Sequence, residues 1–195
     1  MKLPGMRTTL WRHQAAAYEF QKDKYGAMLA LDMGCGKSAV AVAESLRRLQ
    51  TLVLCPARVV QVWPEQYRRH AEQEMVVVPL DEHAGDVRKR TDLAIKKLEL
   101  AKARRVPFVG IVNYEAAWRE PFASWALGTK GNPRIWDLLV CDESHRIKDP
   151  NGAASKFVSK LWAHKRLCLT GTPMPHSPLD IFAQYRSEER RVGKE

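Results

Sequence analysis

Short apolar runs alternate with longer amphipathic stretches along the chain, and this alternation is the feature that most limits how it can fold. The predicted strands are 27–31, 51–55, 75–79, 107–112, 138–141 and 167–169. The predicted helices between them are 10–22, 37–50, 63–73, 86–104 and 151–163. Strands that alternate with helices form βαβ units around a parallel sheet. The pattern therefore predicts an α/β fold: a mostly parallel sheet with helices on both faces.

We expect one domain over residues 1–186, since no internal repeat and no linker interrupts this pattern. Residues 128–133 hold three Gly and Pro residues and predict a loop. In the helix 37–50, Val42, Leu46 and Leu49 recur at helical spacing and predict one apolar side that packs on the sheet. Residues 187–195 are almost entirely polar, which predicts a tail that is disordered or foreign to the domain.

The chain has 195 residues, and 32 Lys and Arg against 22 Asp and Glu give it a formal net charge of +10. Residues 1–97 and 98–195 each hold 16 basic and 11 acidic side chains, so the excess is not a basic tail. This distribution suits a folded face that meets nucleic-acid phosphates, and it suits a merely soluble basic protein equally well. The 45% hydrophobic content excludes the disordered, collagen-like and low-complexity classes.

Neither a membrane segment nor a metal site built from cysteines is expected from the composition. No apolar run reaches the roughly 18 residues of a membrane span, and the N-terminus lacks the apolar stretch of a signal peptide. Cys35, Cys55, Cys141 and Cys168 include no pair at zinc-ligand spacing, and three of them lie in or end apolar runs. We expect a cytoplasmic protein whose cysteines are small buried side chains.

A glycine-rich segment, Leu-Asp-Met-Gly-Cys-Gly-Lys-Ser, ends at Ser38, between a predicted strand and a predicted helix. The backbone of Gly34, Cys35 and Gly36 can turn its N–H groups toward phosphate oxygens, and a helix N-terminus adds partial positive charge. Lys37 would reach the β and γ phosphates, and the Ser38 hydroxyl would bind Mg²⁺. The alternative is a glycine-rich turn with an incidental lysine, because a leucine stands at the first glycine of the strict pattern GxxxxGK[ST].

Two adjacent carboxylates, Asp142 and Glu143, follow the apolar strand 138–141. Like charges side by side are costly unless a cation faces them. A phosphate-bound Mg²⁺ would remove that cost if Asp142 held the metal while Glu143 acted as general base toward the attacking water. The pair is a weak signal alone, and the phosphate loop upstream strengthens it.

A third strand, 167–169, ends at Thr170, Gly171 and Thr172. Two hydroxyls around a glycine suit a loop that hydrogen-bonds toward the same crevice, at the carboxyl edge of the sheet. An ordinary turn is the alternative, and it would be preferred if this segment stood alone.

The order of these three segments resembles motifs I, II and III of superfamily 2 helicases. The run Asp-Glu-Ser-His-Arg-Ile-Lys-Asp-Pro, which begins at Asp142, resembles the DEAH-R-I-K-N-P segment of Snf2-like ATPases, a family of dsDNA translocases. Residues 52–56 with Trp63 and Glu65 are similar to motif Ia, and residues 10–14 resemble the Q-like motif. The resemblance covers about residues 8–185.

The resemblance implies a RecA-like P-loop NTPase domain that uses ATP and Mg²⁺. It implies catalytic roles for Lys37, Asp142 and Glu143, and metal binding by Ser38 and Asp142. Its ATP-binding residues would be Gln14, which reads the adenine edge, together with Gly34, Cys35, Gly36, Lys37 and Ser38. His145, Thr170, Gly171 and Thr172 would couple the nucleotide state to DNA contacts, and Pro56 and Arg58 would lie near the DNA backbone.

Departures from the family pattern concern the Q-like motif above all. Trp11 and Arg12 stand where the family shows Arg and Pro, which weakens the expectation of adenine specificity. Nothing after Pro173 resembles the family's second RecA-like lobe, which completes the ATP site and supplies an arginine finger. We therefore expect the chain to be the first lobe alone, with weak or no ATP hydrolysis by itself.

The leading hypothesis is thus the ATP-binding lobe of a DNA-dependent ATPase that moves along duplex DNA with little sequence preference. One alternative is another superfamily 2 member, such as a strand-separating helicase or a restriction motor. An alternative of a different class is a non-catalytic module that binds nucleotide or DNA.

Overall fold

The computed structural model of the protein describes residues 1–173. The predicted boundary at residue 186 and the predicted tail 187–195 lie outside these residues. The strands are β1 (Gly26–Ala30), β2 (Gln50–Cys55), β3 (Val76–Leu80), β4 (Phe108–Asn113), β5 (Gly128–Thr129), β6 (Asn132–Pro133), β7 (Ile135–Asp142) and β8 (Trp162–Thr170). Every predicted strand is present, so the apolar runs were correctly interpreted as strands.

Six of these strands form one sheet in the order β1-β8-β7-β2-β4-β3, and every pair within it is parallel. The predicted α/β class is confirmed. The strands that precede the three candidate segments, β1, β7 and β8, are neighbours in this sheet. Because parallel strands end at the same edge, the three segments meet at the carboxyl edge of the sheet.

The helices are α1 (Arg12–Gln21), α2 (Lys37–Ser45), α3 (Val62–His70), α4 (Val87–Arg104), α5 (Tyr114–Ala117), α6 (Phe122–Leu127) and α7 (Ala153–Lys160). Short 3₁₀ turns occupy Ala57–Val59, Glu82–Ala84 and Ser144–Ile147. Buried side chains of α1, α2 and α3 form one hydrophobic cluster with the sheet, and those of α4 to α7 form a second cluster. Successive side chains of a strand point to opposite faces, so the two clusters cover the two faces of the sheet.

The burial of α2 extends beyond the one side that the sequence predicted. Every residue from 39 to 45 is buried, and the helix packs against α1 and α3 as well as the sheet. The predicted packing of one side on the sheet is present, and neighbouring helices, which periodicity within one segment does not reveal, cover the rest of α2. Leu49, expected on the apolar side, lies beyond the helix and is 66% exposed.

The long helix α4 has clear signals at both ends. The Asp86 carboxylate accepts a hydrogen bond from the Lys89 backbone N–H at 2.9 Å and so caps the first turn. Arg105 follows the last turn in the left-handed conformation, with φ of 55°. Its N–H bonds to Lys102 and the next N–H bonds to Ala101, which closes the helix as a Schellman motif.

Four short elements between β4 and β7 were not predicted as such. Helices α5 and α6 are short, and β5 and β6 pair as an antiparallel hairpin within residues 128–133, where a loop was expected. Gly128, at the start of the hairpin, has φ of 74°, and a Cβ there would lie 2.3 Å from the Arg134 backbone nitrogen. In residues 1–173, no helix is long and apolar enough to cross a membrane.

Candidate functional site

The glycine-rich segment forms the turn between β1 and α2, as predicted. Gly34 has φ of 82°, and Gly36, the N-cap of α2, has φ of 74°. Both values lie in the left-handed region that favours glycine. A Cβ on Gly36 would lie only 2.3 Å from the Gln14 side-chain nitrogen, whereas a Cβ on Gly34 would meet no described atom within 4 Å. The first glycine faces open space, and the second permits a close approach by α1.

Lys37 begins α2 and folds back over the turn. Its ammonium group donates hydrogen bonds to the backbone carbonyls of Leu31, at 2.7 Å, and Asp32, at 3.1 Å. The positive charge is therefore held above the turn, next to the N-terminus of α2, where anions are favoured.

Two side chains of α1 reach the same turn. Gln14, which is 8% exposed, donates from Nε2 to the Cys35 carbonyl at 3.2 Å and accepts the Trp11 backbone N–H at 2.9 Å. The His13 ring nitrogen Nε2 lies 2.9 Å from the same Cys35 carbonyl. The Q-like segment and the glycine-rich turn are thus joined by hydrogen bonds, although they are far apart in sequence.

Asp142 is the last residue of β7, and two aromatic side chains hydrogen-bond to it. The Trp63 indole N–H donates to Asp142 Oδ2 at 3.1 Å, and the Tyr114 hydroxyl donates to the Asp142 backbone carbonyl at 2.9 Å. Burial raises the pKa of the Asp142 carboxyl to about 6, and the neighbouring Glu143 charge adds to this rise, while the Trp63 hydrogen bond opposes it.

Glu143 turns away from Asp142 because its backbone is left-handed, with φ of 51°. A non-glycine residue in this region is uncommon. The Glu143 carboxylate oxygen Oε2 lies 3.3 Å from His145 Nδ1, and the same His145 nitrogen lies 3.4 Å from the Thr170 hydroxyl. The Thr170 hydroxyl accepts the Thr172 backbone N–H at 3.0 Å. The ends of β7 and β8 are therefore linked through His145.

One cleft of about 520 Å³ gathers most of the predicted ATP-site residues. Its walls include Gln14, Gly34, Gly36, Lys37, Ser38, Asp142 and Glu143. A cation at one wall and carboxylates at the other can hold an anion together with a bound cation. The cleft therefore has the chemistry expected for a polyphosphate and a divalent metal ion.

Other walls of the cleft were not found from the sequence. They are Thr8, Thr9, Trp11, Met33, Ala39, Val59, Gln66, Arg69 and His70. Arg69 and His70 come from the last turn of α3, where basic residues also stabilise a helix end. The Arg7 backbone N–H bonds to the His70 carbonyl at 2.8 Å, and this long-range pairing places them at the cleft. No local sequence signal distinguishes them.

The remaining predicted residues lie around the cleft or apart from it. Gly171 approaches the glycine-rich turn, since a Cβ there would lie 3.3 Å from Met33 Cγ. Pro56 and Arg58 follow β2 and do not line the cleft. Pro56 is buried and Arg58 is exposed, so only Arg58 of this pair presents its side chain to a partner.

All four cysteines are free thiols, and three of them are buried as predicted. Cys35 is the exception, since it is partly exposed in the turn. Within residues 1–173, no group of three His, Cys, Asp or Glu side chains could hold a metal ion.

Curated proteins similar to this chain are large DNA-associated proteins by name. The helicase-like transcription factor of Oryctolagus cuniculus is 28% identical over 156 residues, which are 76% of this chain and 14% of that protein. The chromodomain-helicase-DNA-binding protein 1-like of Danio rerio is 26% identical over 171 residues, 83% of this chain and 15% of that protein. The chain thus spans about a seventh of the length of these relatives.

Solved structures agree with these relatives. The SWI2/SNF2 ATPase core of Sulfolobus solfataricus in complex with dsDNA matches with a TM-score of 0.70 and 22% identity, covering 94% of this chain and 36% of that chain. This match establishes the RecA-like fold that the sequence predicted. The family model described as the SNF2-related domain matches residues 10–184, most of the chain. The chain therefore belongs to the family of SNF2-related domains.

Proposed function

We propose that the chain is the ATP-binding lobe of a DNA-dependent ATPase that moves along duplex DNA. Together with a second RecA-like lobe, it would hydrolyse ATP to ADP and phosphate. The observation that carries the proposal is the single cleft shared by Lys37, Ser38, Asp142 and Glu143, which come from two different sheet connections. The relatives support the DNA part, since one of them was solved as an ATPase core in complex with dsDNA.

The cleft fits a nucleoside triphosphate with Mg²⁺. Gly34 faces open space with a left-handed backbone, which leaves room for phosphate oxygens close to the turn. Ser38 and Asp142 offer oxygen ligands, the type that Mg²⁺ prefers, and burial makes the Asp142 charge costly without a cation. When bound, Mg²⁺ would neutralise charge on the β and γ phosphates.

Side chains of this chain would bind the phosphates, activate the attacking water and respond to the nucleotide. Lys37 would exchange its contacts with the Leu31 and Asp32 carbonyls for phosphate oxygens. Glu143 would accept a proton from the attacking water as general base. His145, between Glu143 and Thr170, would transmit the state of the nucleotide to the loop Thr170-Gly171-Thr172.

Base recognition would fall to Gln14. Its two internal hydrogen bonds fix the amide, and an amide keeps one further donor and one further acceptor for a base edge. Those two groups match the donor and acceptor that adenine offers. Trp11, which stands in this chain where the family shows Arg, leaves the Gln14 amide in place.

DNA would meet the same edge of the sheet. Arg58 is exposed directly after β2, and the net charge of +10 favours a polyanionic partner. Contacts to phosphates position a duplex without reading its sequence. A partner of this kind would place the protein inside the cell, together with its DNA.

The test is ATP turnover with and without duplex DNA, measured on the chain alone and on the chain paired with its second lobe. We expect slow turnover by the chain alone and strong stimulation by DNA in the paired protein. Lys37→Ala should remove nucleotide binding, and Glu143→Gln should keep binding while turnover falls at least 100-fold. Lys96→Ala, at an exposed position of α4, is the matched lysine control.

The result that overturns the proposal is unchanged nucleotide affinity in Lys37→Ala. Rapid turnover by the chain alone would refute the need for a second lobe. DNA affinity should also fall steeply with added salt and vary little among duplex sequences. Strong preference for one sequence would argue against movement along DNA.

A further inference from the structure

Trp63 is buried and hydrogen-bonds to Asp142, a residue that lines the cleft. The side chain is 1% exposed, and its indole N–H donates to Asp142 Oδ2 at 3.1 Å. Trp63 is not one of the residues that line the cleft, so it does not face the space that a nucleotide would occupy. Its effect on a ligand must therefore act through Asp142.

The carboxylate of Asp142 is held at both oxygens. Oδ2 accepts the Trp63 indole N–H, and Oδ1 accepts the Glu143 backbone N–H at 3.0 Å. A carboxylate oxygen has two acceptor positions, so each oxygen keeps one for another ligand. The hydrogen bonds thus fix the rotation of the carboxylate without using up its capacity to bind a cation.

The hydrogen bond between Trp63 and Asp142 connects two elements that are far apart in the sequence. Trp63 lies in the first turn of α3, which follows β2 through the Ala57–Val59 turn, whereas Asp142 ends β7. The two strands are neighbours in the sheet. A single bond from the start of α3 therefore ties the connection after β2 to the carboxylate after β7.

We propose that Trp63 is a positioning residue for the metal-binding carboxylate of Asp142. Donors that hold a ligating carboxylate set its orientation, and their loss typically weakens metal affinity by about 10-fold to 100-fold. The inference rests on the proposed function in one respect, namely that Asp142 binds Mg²⁺ together with a nucleotide. It assigns Trp63 a role beyond filling the hydrophobic cluster.

Trp136 supplies a matched control. It is also fully buried, on the opposite face of the sheet, and its indole N–H donates at 3.1 Å to a backbone carbonyl, that of Ala126. Replacing either tryptophan by phenylalanine removes one indole N–H and a similar volume. A purely structural role for Trp63 predicts the same functional outcome for both substitutions.

The experiment measures binding of a fluorescent ATP analogue over a series of Mg²⁺ concentrations. In Trp63→Phe, we expect the half-saturating Mg²⁺ concentration to rise about tenfold, while affinity in EDTA stays at the wild-type value. Trp136→Phe should leave both quantities unchanged. An unchanged Mg²⁺ dependence in Trp63→Phe, or an equal shift in Trp136→Phe, overturns the proposal.

A measurement on the wild-type chain covers the case in which Trp63→Phe does not fold. In ¹⁵N-labelled protein with a non-hydrolysable ATP analogue, Mg²⁺ should shift the Trp63 indole N–H resonance, because its acceptor binds the ion. The Trp136 resonance should stay in place. A Trp63 resonance that does not respond to Mg²⁺ overturns the proposal.

Failure of the proposed function gives a different result. A wild-type chain that binds no nucleotide, with or without Mg²⁺, refutes both the function and this inference. A wild-type chain that requires Mg²⁺, alongside a Trp63→Phe variant with the same requirement, refutes the inference alone.

Discussion

Charged side chains form two groups in this molecule, one beneath β8 and one in the cleft. The two groups differ in how close each charge lies to an opposite charge. Beneath β8, the fully buried Glu44 lies 3.0 Å from Arg48 Nε and 3.7 Å from Lys165 Nζ, and it accepts a hydrogen bond from Gln21 at 3.0 Å. Each charge there has an opposite charge nearby. The interior group is therefore complete within the protein.

In the cleft, like charges adjoin and opposite charges stay apart. Asp142 and Glu143 are consecutive, and the Lys37 ammonium group donates to backbone carbonyls. Within residues 1–173, Asp142 forms no ion pair. The interior charges therefore join elements of the fold, whereas the Asp142 carboxylate has no opposite charge paired with it within residues 1–173, as the proposed binding of a charged ligand would require.

Two charged side chains of β8 have structural roles on opposite faces of the sheet. Lys165 donates to the carbonyls of Gln21, at 2.6 Å, and Lys22, at 2.9 Å, at the end of α1. The adjacent Arg166 donates to the carbonyls of Val158 and Leu161 at the end of α7. Adjacent strand residues point to opposite faces, so two consecutive cations satisfy the ends of helices on opposite sides.

Neutralising one carboxylate in each group should separate the two roles most clearly. Glu44→Gln leaves the buried Lys165 and the partly buried Arg48 without a counter-charge and should lower the free energy of unfolding by about 3 to 5 kcal/mol. Asp142→Asn should not lower the free energy of unfolding, because burial of the Asp142 charge destabilises the folded state. Urea unfolding of both variants in EDTA tests this.

Glu99→Gln serves as control for the Glu44 experiment. Glu99 pairs with Lys102 on the surface of α4 and should change stability by less than about 0.5 kcal/mol. Equal losses of stability in Glu44→Gln and Asp142→Asn would show that the interior carboxylate and the cleft carboxylate contribute alike to folding.

The pH dependence of stability should carry a signature of Asp142. Its pKa is raised from an ordinary value of 3.8 to about 6, so between those values the folded state holds a proton that the unfolded state has released. Stability should therefore fall as pH rises through this window, by at most about 1.4 kcal/mol per pH unit, with the full cost above it.

Comparison of wild type with Asp142→Asn isolates this contribution. Unfolding free energies in EDTA at pH 4.5, 5.5 and 6.5 should show the variant gaining on the wild type as pH rises. A difference that stays constant with pH would mean that burial does not disfavour the Asp142 charge.

Most of the fold could be predicted because its strands are buried on both faces and are therefore continuously apolar. The exceptions follow from long-range contacts. The strand β8 begins at Trp162, whereas the prediction began at residue 167, because Lys165 and Arg166 read as surface residues. Their partners are helix-end carbonyls, which no local pattern reveals. Helices α5 and α6 are too short to show a helical period.

The candidate site could be predicted where its residues are adjacent in sequence. Gly36 and Lys37 lie at the start of α2, after β1, and the pair Asp142-Glu143 lies at the end of β7, so a short run of sequence shows both the residue types and their place in the fold. The Trp63 hydrogen bond and the cleft position of Arg69 depend on how α3 packs against the sheet and the N-terminal segment. Residue type alone does not distinguish these side chains from ordinary core and surface residues.

Two glycines refine the comparison within the cleft. Both have a left-handed backbone, so alanine at either position costs about 1 to 2 kcal/mol. Gly34→Ala points its methyl group into the cleft and should chiefly weaken nucleotide binding. Gly36→Ala also displaces Gln14, so it should lose more stability. Urea unfolding together with nucleotide titration checks both effects. Equal losses in stability would show that displacing Gln14 does not destabilise the fold.

The smallest expected effect compares two non-glycine residues with left-handed backbones, Arg105 and Glu143. Arg105 ends α4 and is exposed, so Arg105→Gly should relieve strain and raise stability by about 0.5 to 1 kcal/mol without affecting ATP turnover. Glu143→Gly relieves the same strain but loses the His145 contact, so its gain should be smaller, and turnover should be lost.

Thermal unfolding and DNA-stimulated turnover of the protein paired with its second lobe measure the two effects. If Glu143→Gly keeps its turnover, Glu143 is not the general base, and its left-handed backbone has no catalytic purpose. If Arg105→Gly gains nothing, the entropy that glycine adds to the unfolded chain is as large as the backbone strain that it relieves in the fold. A gain in Arg105→Gly beside lost turnover in Glu143→Gly would show that a left-handed backbone can be relieved at the end of α4 without loss of function, whereas in the cleft the Glu143 side chain is needed despite its strained backbone.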